Sequence, residues 1–117
     1  MASTPTDLGH LPGVVRDYLA AHARGDVTAA AECFTPAAVV VDDGSTCRGR
    51  EEIRDWLGRS STEYTWTATP TAAVRRGSGH WNVVQRLTGD FPGGAADLAY
   101  DFTIDDALIT ALVIGPA

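Results

Sequence analysis

The sequence predicts an α+β fold in which three N-terminal helices pack in the concave face of a curved, mostly antiparallel sheet. Two observations carry this. Apolar residues recur at helical spacing in three stretches of the first half of the chain, and from about residue 62 the period changes to strand-like alternation that persists to the end. Helices gathered at the start and strands at the end make a layered α+β arrangement, and a sheet bent around helices leaves an open-mouthed cone suited to a small molecule.

Residues 1–7 are polar, contain Pro5 and read as a loose lead-in to one domain spanning residues 1–117. From Leu8 to Arg24, the spacing of Leu11, Val14, Val15, Tyr18 and Leu19 predicts an amphipathic helix ended by Gly25. His22 follows Tyr18 by four positions, so the two rings share a face. Asp26 is placed to cap a second helix with an inward stripe of Val27, Ala30, Ala31 and Phe34, closed by Thr35-Pro36.

The next stretch, residues 37–43, is an apolar strand that runs into two adjacent carboxylates, Asp42 and Asp43. A charge at the buried end of a strand is costly unless it is used or paired. Alternation puts only Asp42 on the face of Val40. Gly44 to Cys47 reads as a turn-rich loop. A third helix is expected from Arg50 to Leu57, with Glu51 and Glu52 in its first turn, Ile53, Trp56 and Leu57 inward, and Gly58 after its end.

Residues 62–75 then read as a strand with a bulge or edge position at Pro70, turning at Gly77-Ser78-Gly79 into a strand over 80–88. Two more strands, 96–104 and 108–114, are separated by a tight turn at Asp105-Asp106. On the 80–88 strand Trp81, Val83 and Leu87 share one face, while His80, Asn82, Val84 and Arg86 share the other. Gln85 falls on the apolar face, either as a hydrogen-bonding group in the pocket or through a register different from this one.

With 15 acidic and 9 basic residues the formal charge is -6, which disfavours nucleic acid and anionic membrane surfaces as partners. All nine basic residues are arginine, and the absence of lysine removes Schiff-base chemistry and the lysine of a phosphate-binding loop. Cys33 and Cys47 read as small buried hydrophobes with free thiols, and with no secretory or membrane-spanning pattern the expected location is cytoplasmic. His22 and His80 lack further ligands at metal spacing, so no metal is expected.

Several segments together resemble the NTF2-like, or SnoaL-like, superfamily of α+β cone domains. They are Val14-Val15-Arg16-Asp17-Tyr18, Ala23-Arg24-Gly25-Asp26, Phe34-Thr35-Pro36-Ala37 leading into Val41-Asp42, Gly49-Arg50-Glu51-Glu52-Ile53, and Asp101 to Asp106 before Leu108-Ile109. Within that superfamily the nearest functional likeness is to ketosteroid isomerase, a cofactor-free proton-transfer enzyme with an aspartate base and an oxyanion hole formed by a tyrosine and a protonated acid. The resemblance implies Asp42 as the general base and Tyr18 as an oxyanion donor. The second acid's position falls on Tyr100, a departure from the family pattern that still supplies a donor. Trp56 and Trp66 are expected as pocket or core walls. Val40, Val83 and Phe102, with Gln85, complete the expected substrate lining.

The implied activity is cofactor-free proton transfer on a small apolar carbonyl compound, steroid- or polyketide-like. A non-catalytic small-molecule-binding or scaffold role is the alternative, with Asp42 then capping the Gly44-Ser45 turn or pairing with Arg48 and Tyr18 a plain core aromatic. A cyclase or epoxide hydrolase is a third reading, requiring an arginine between carboxylates where Arg86 is expected to point outward. The resemblance also implies a homodimer through the outer sheet face, around His80, Asn82, Val84 and Arg86.

Overall fold

The computed structural model describes residues 8–63 and 65–117, so the lead-in expected over 1–7 and Tyr64 lie outside the described residues. Three α-helices, α1 (Gly13–Ala23), α2 (Val27–Glu32) and α3 (Arg50–Glu63), pack against a six-stranded sheet of β1 (Phe34–Asp42), β2 (Ser45–Arg48), β3 (Trp66–Gly77), β4 (His80–Gly89), β5 (Ala95–Asp105) and β6 (Leu108–Pro116). The strand order is β2-β1-β6-β5-β4-β3, with only the β1–β6 pair parallel. This is the expected α+β arrangement, with a curved sheet that does not close on itself.

Helix starts follow local chemistry. The Asp26 carboxylate accepts from the Ala29 amide at 3.0 Å, capping α2 as expected. That bond, reinforced by Arg24, holds the Asp26 carboxyl below its usual range. At the start of α3, Glu52 reaches back to accept from the Arg48 amide at 2.8 Å, so an acid in the first turn satisfies a donor preceding the helix. Arg50 donates to the Phe34 carbonyl and ties α3 to the beginning of β1.

Five boundaries differ from the sequence reading. Phe34 opens β1, where it pairs with Ile109 of β6, rather than completing α2, and Cys33 closes the helix instead. Helix α3 does not stop at Leu57 but continues to Glu63. A glycine ends a helix by adopting positive φ, and Gly58 does not. The 62–75 strand accordingly begins only at Trp66.

The loop expected over 44–47 is instead the hairpin strand β2, in which Asp42 pairs with Ser45 around Asp43-Gly44, at φ 51° and 82°. Positive φ at both central residues is the requirement of a type I′ hairpin turn, and Asp-Gly meets it. The β5–β6 turn lies one residue later than expected, at Asp106-Ala107, with Asp105 pairing to Leu108.

The inner sheet face carries Phe34, Val40, Trp81, Val83, Gln85, Phe102 and Leu112, all buried beneath the helices. Ile53, Trp56 and Leu57, spaced three and four apart, are the buried face of α3. Register shifts at Pro70/Ala72 in β3 and at Thr103/Ile104 in β5 bend the sheet around this core, and Pro70 sits on an edge strand where its missing donor is tolerated.

Candidate functional site

The mouth of the cone is a cavity of about 520 Å³. It collects the C-terminal ends of β1, β4 and β6 and the beginnings of β3 and β5, because β1 runs parallel to β6 and the antiparallel meander brings these ends to the same side of the sheet. Asp42 enters it from the end of β1, Tyr100 from β5, Trp56 from α3 and Trp66 from the start of β3.

Asp42 is oriented by α3. The Trp56 indole Nε1 donates to Asp42 Oδ2 at 3.0 Å, so the tryptophan is both a wall and a positioning donor. Asp43 also lines the cavity, although strict alternation would send it away. Strand geometry ends at Asp42, and the positive φ of Asp43 removes it from the alternating pattern.

Tyr100 is buried, and burial followed by the nearby Asp42 carboxylate raises its phenol well above the ordinary range, with Gln85 acting in the opposite sense. It is a protonated donor throughout the neutral range. Gln85 is buried beside it, with its Nε2 lacking a hydrogen-bond partner.

Tyr18 lies behind this wall rather than in it. Its ring stacks on His22 at 5.5 Å and meets Phe34 and Phe102 edge-on, while its hydroxyl is buried without a partner. Burial first, then the adjacent Tyr100, Asp42 and Cys33, push its phenol well up, so it too remains protonated. Asp42 and Tyr100 therefore both line the cavity, and Tyr18 lies in the layer beneath with its hydroxyl bonded to neither. Val40, Val83 and Phe102 belong to that same layer and do not line the cavity, whereas Trp56 and Trp66 do.

The sequence reading paired His22 with Tyr18 but did not place it in the site. The structure does. His22 lines the cavity between Tyr18 and Trp66, with ring centroids 5.5 and 4.7 Å away, and burial pushes its imidazole down to about 4. It is neutral at pH 7. The signal that could have found it is the four-residue step from Tyr18, which aligns both side chains along one face of α1.

Among the described residues no three potential ligands cluster as a metal site needs. Cys33 and Cys47 are free and buried, and burial pushes both thiols up, Cys33 to about 11. The lining includes no arginine among the described residues, and Arg86 pairs with Asp97 at 3.1 Å. On the outer face Asp101 accepts from Asn82 at 3.2 Å and lies 2.8 Å from His80 Nε2. No helix among the described residues is long and apolar enough to cross a membrane.

The SnoaL-like domain family matches residues 15–112, which span the helices, the Asp42 strand end and most of the sheet. The chain belongs to this family. A protein of Sinorhizobium meliloti, proposed to be a polyketide cyclase, is 33% identical over 92% of this chain and 97% of its own, with a TM-score of 0.86. A hypothetical protein of Catenulispora acidiphila with a ketosteroid isomerase-like fold, solved with trimethylamine, is 25% identical over 91% of this chain and 86% of its own, TM-score 0.80. An NTF2-like protein of unknown function from Cytophaga hutchinsonii shares the fold at 11% identity, covering 100% of this chain and 95% of its own, TM-score 0.74. No curated protein matches the chain.

Proposed function

We propose that this SnoaL-like domain is a cofactor-free proton-transfer enzyme acting on a small apolar carbonyl compound, steroid- or polyketide-like. The observation that carries the reading is the meeting of Asp42 and Tyr100 at one cavity, with Trp56 holding Asp42 Oδ2. Asp42 Oδ1 is then the atom that takes a proton from carbon next to the substrate carbonyl. The Tyr100 hydroxyl donates to the oxygen on which negative charge develops, with the Tyr18 ring packed in the layer behind it.

The enolate so formed has two fates. Return of the proton from Asp42 to a different carbon isomerises the substrate, whereas attack on a second carbonyl closes a ring, in keeping with the polyketide cyclase activity proposed for the Sinorhizobium meliloti relative. Both begin with the same proton abstraction. Epoxide opening lacks comparable support, because Arg86 is committed to Asp97 on the outer face.

Conversion of a β,γ-unsaturated ketosteroid, followed by ultraviolet absorbance as the double bond enters conjugation, tests the reading. Asp42→Asn is expected to lower turnover by about 10²–10⁴-fold, the usual contribution of a positioned base. Unchanged turnover in that variant excludes Asp42 as the base. The second reading, a non-catalytic binding protein, is favoured by the Trp56–Asp42 hydrogen bond, which gives the carboxylate a structural use. Saturable ligand binding without turnover of any ketone selects it.

The outer sheet face is the proposed homodimer surface, with the His80–Asp101–Asn82 cluster and the exposed Val113 on it. Sedimentation of wild type and Val113→Asp tests this: a dimer that the substitution dissociates supports it, and a wild-type monomer rejects it.

A further inference from the structure

The cavity wall has a consistent electrostatic character. It contains two carboxylate residues, Asp42 and Asp43, and the aromatic rings of Trp56, Trp66, Phe91 and Tyr100, and among the described residues it contains neither arginine nor lysine. Its one basic side chain, His22, is kept uncharged at neutral pH by burial. Ring faces carry the negative part of the aromatic quadrupole, so rings and carboxylates in one cleft favour a cation and oppose an anion. The chain's net charge of -6 adds to this bias at long range.

We infer that the cavity selects a small organic cation, an alkylammonium group seated among the Trp56, Trp66 and Phe91 rings with Asp42 and Asp43 as its counter-charges. Methylated ammonium suits such a wall better than a metal ion or a primary amine. Its charge is spread over apolar methyl groups that pack against rings, and it needs no set of directed oxygen ligands. The inference rests on the same cavity as the proposed function, but it concerns cation binding there and does not depend on turnover of the carbonyl compound.

The test uses three ligands of nearly one shape and different charge: choline, its uncharged carbon isostere tert-butylethanol, and the anion of tert-butylacetic acid. Binding to the full chain is followed by NMR through the indole N–H signals, of which that of Trp56 is hydrogen-bonded to Asp42 in the cavity wall. Choline is expected to bind about tenfold or more tightly than tert-butylethanol, with the anion weakest, and the advantage of choline is expected to shrink at high salt. Asp43→Asn is expected to reduce that advantage several-fold without altering affinity for the alcohol. The substitution suits the fold, since asparagine tolerates the positive φ of this position.

Equal or tighter binding of the alcohol or the anion, or no saturable binding of choline up to its solubility limit, overturns the inference. Failure here, with Asp42-dependent ketosteroid conversion intact, leaves the proton-transfer proposal standing. Loss of that conversion in the wild-type protein, with choline selectivity present, removes the enzyme reading and keeps the cation site.

Discussion

The Trp56 indole donates to the Asp42 carboxylate at 3.0 Å, joining the middle of α3 to the last residue of β1 at the mouth of the cone. These residues are 14 apart in sequence, and the connection is made by the β1–β2 hairpin that turns the chain back before α3 begins. The hairpin thus determines where the carboxylate is held as well as how the sheet edge ends.

Trp56→Phe keeps a ring in the wall and removes the donor. A hydrogen bond to a charged group is worth about 1.5–3 kcal/mol, so the variant is expected to lose roughly 1–2 kcal/mol of stability at this partly exposed pair. Ketosteroid turnover is expected to fall about tenfold because the carboxylate is no longer fixed in orientation. Urea unfolding and steady-state kinetics on the same preparation check both.

Tyr18 and Tyr100 should separate under the same substitution. Tyr18→Phe preserves the packing against His22, Phe34 and Phe102 and removes a buried hydroxyl that has no partner, so stability is expected to stay level or rise by about 1 kcal/mol. Tyr100→Phe removes the donor at the cavity itself and is expected to lower kcat by about 10²–10³-fold. An equal loss of kcat in the two variants would place both hydroxyls on the reacting oxygen.

The helical stripe of α1 and the alternation in β4 were legible because each buries one face, and burial imposes a period on the sequence. What sequence alone missed was set at junctions. Asp43-Gly44 carried a hairpin signal, but a four-residue β2 is too short to show alternation. Gly58 looked like a helix end, yet its role depends on a φ value that composition does not reveal. At the site both Asp42 and Asp43 line the cavity, and alternation, which puts only Asp42 on the face of Val40, applies only while the strand continues. The front-and-back order of Tyr100 and Tyr18 depends on the depth at which α1 packs, which spacing does not encode.

Ala107 occupies the second central position of the β5–β6 turn at φ 68°, where an L-residue with a Cβ is strained. Left-handed conformation costs such residues roughly 1–2 kcal/mol, and the added chain entropy of glycine in the unfolded state offsets about half of that. Ala107→Gly is expected to stabilise the protein by about 0.5–1 kcal/mol, read as a higher urea midpoint with an unchanged slope. Gly79, at φ 69°, should show the opposite response. A Cβ there would collide with the Ile104 backbone carbonyl, so Gly79→Ala is expected to lower stability by more than Ala107→Gly raises it.

His22 gives the fold a pH dependence with a defined sign. Its imidazole, ordinarily near 6.5, is lowered to about 4 by burial between Tyr18 and Trp66. Above pH 6.5 it is neutral in folded and unfolded chains and contributes no slope. Between pH 6.5 and about 4 the unfolded chain holds a proton that the folded one excludes, so stability falls as pH falls, by about 3 kcal/mol in all. Below that range both states are protonated and the contribution levels off. The Asp26 cap, whose carboxyl is also lowered, weakens on acidification too, so the His22 share must be isolated by difference. His22→Phe retains an aromatic ring against Tyr18 and Trp66 and removes the titrating group. Urea midpoints of the two proteins should therefore converge at pH 7 relative to acid, and the gap should open in favour of the variant through pH 6 to 4.5, within the window set by the imidazole. A gap that stays constant with pH would show that His22 does not titrate in this window.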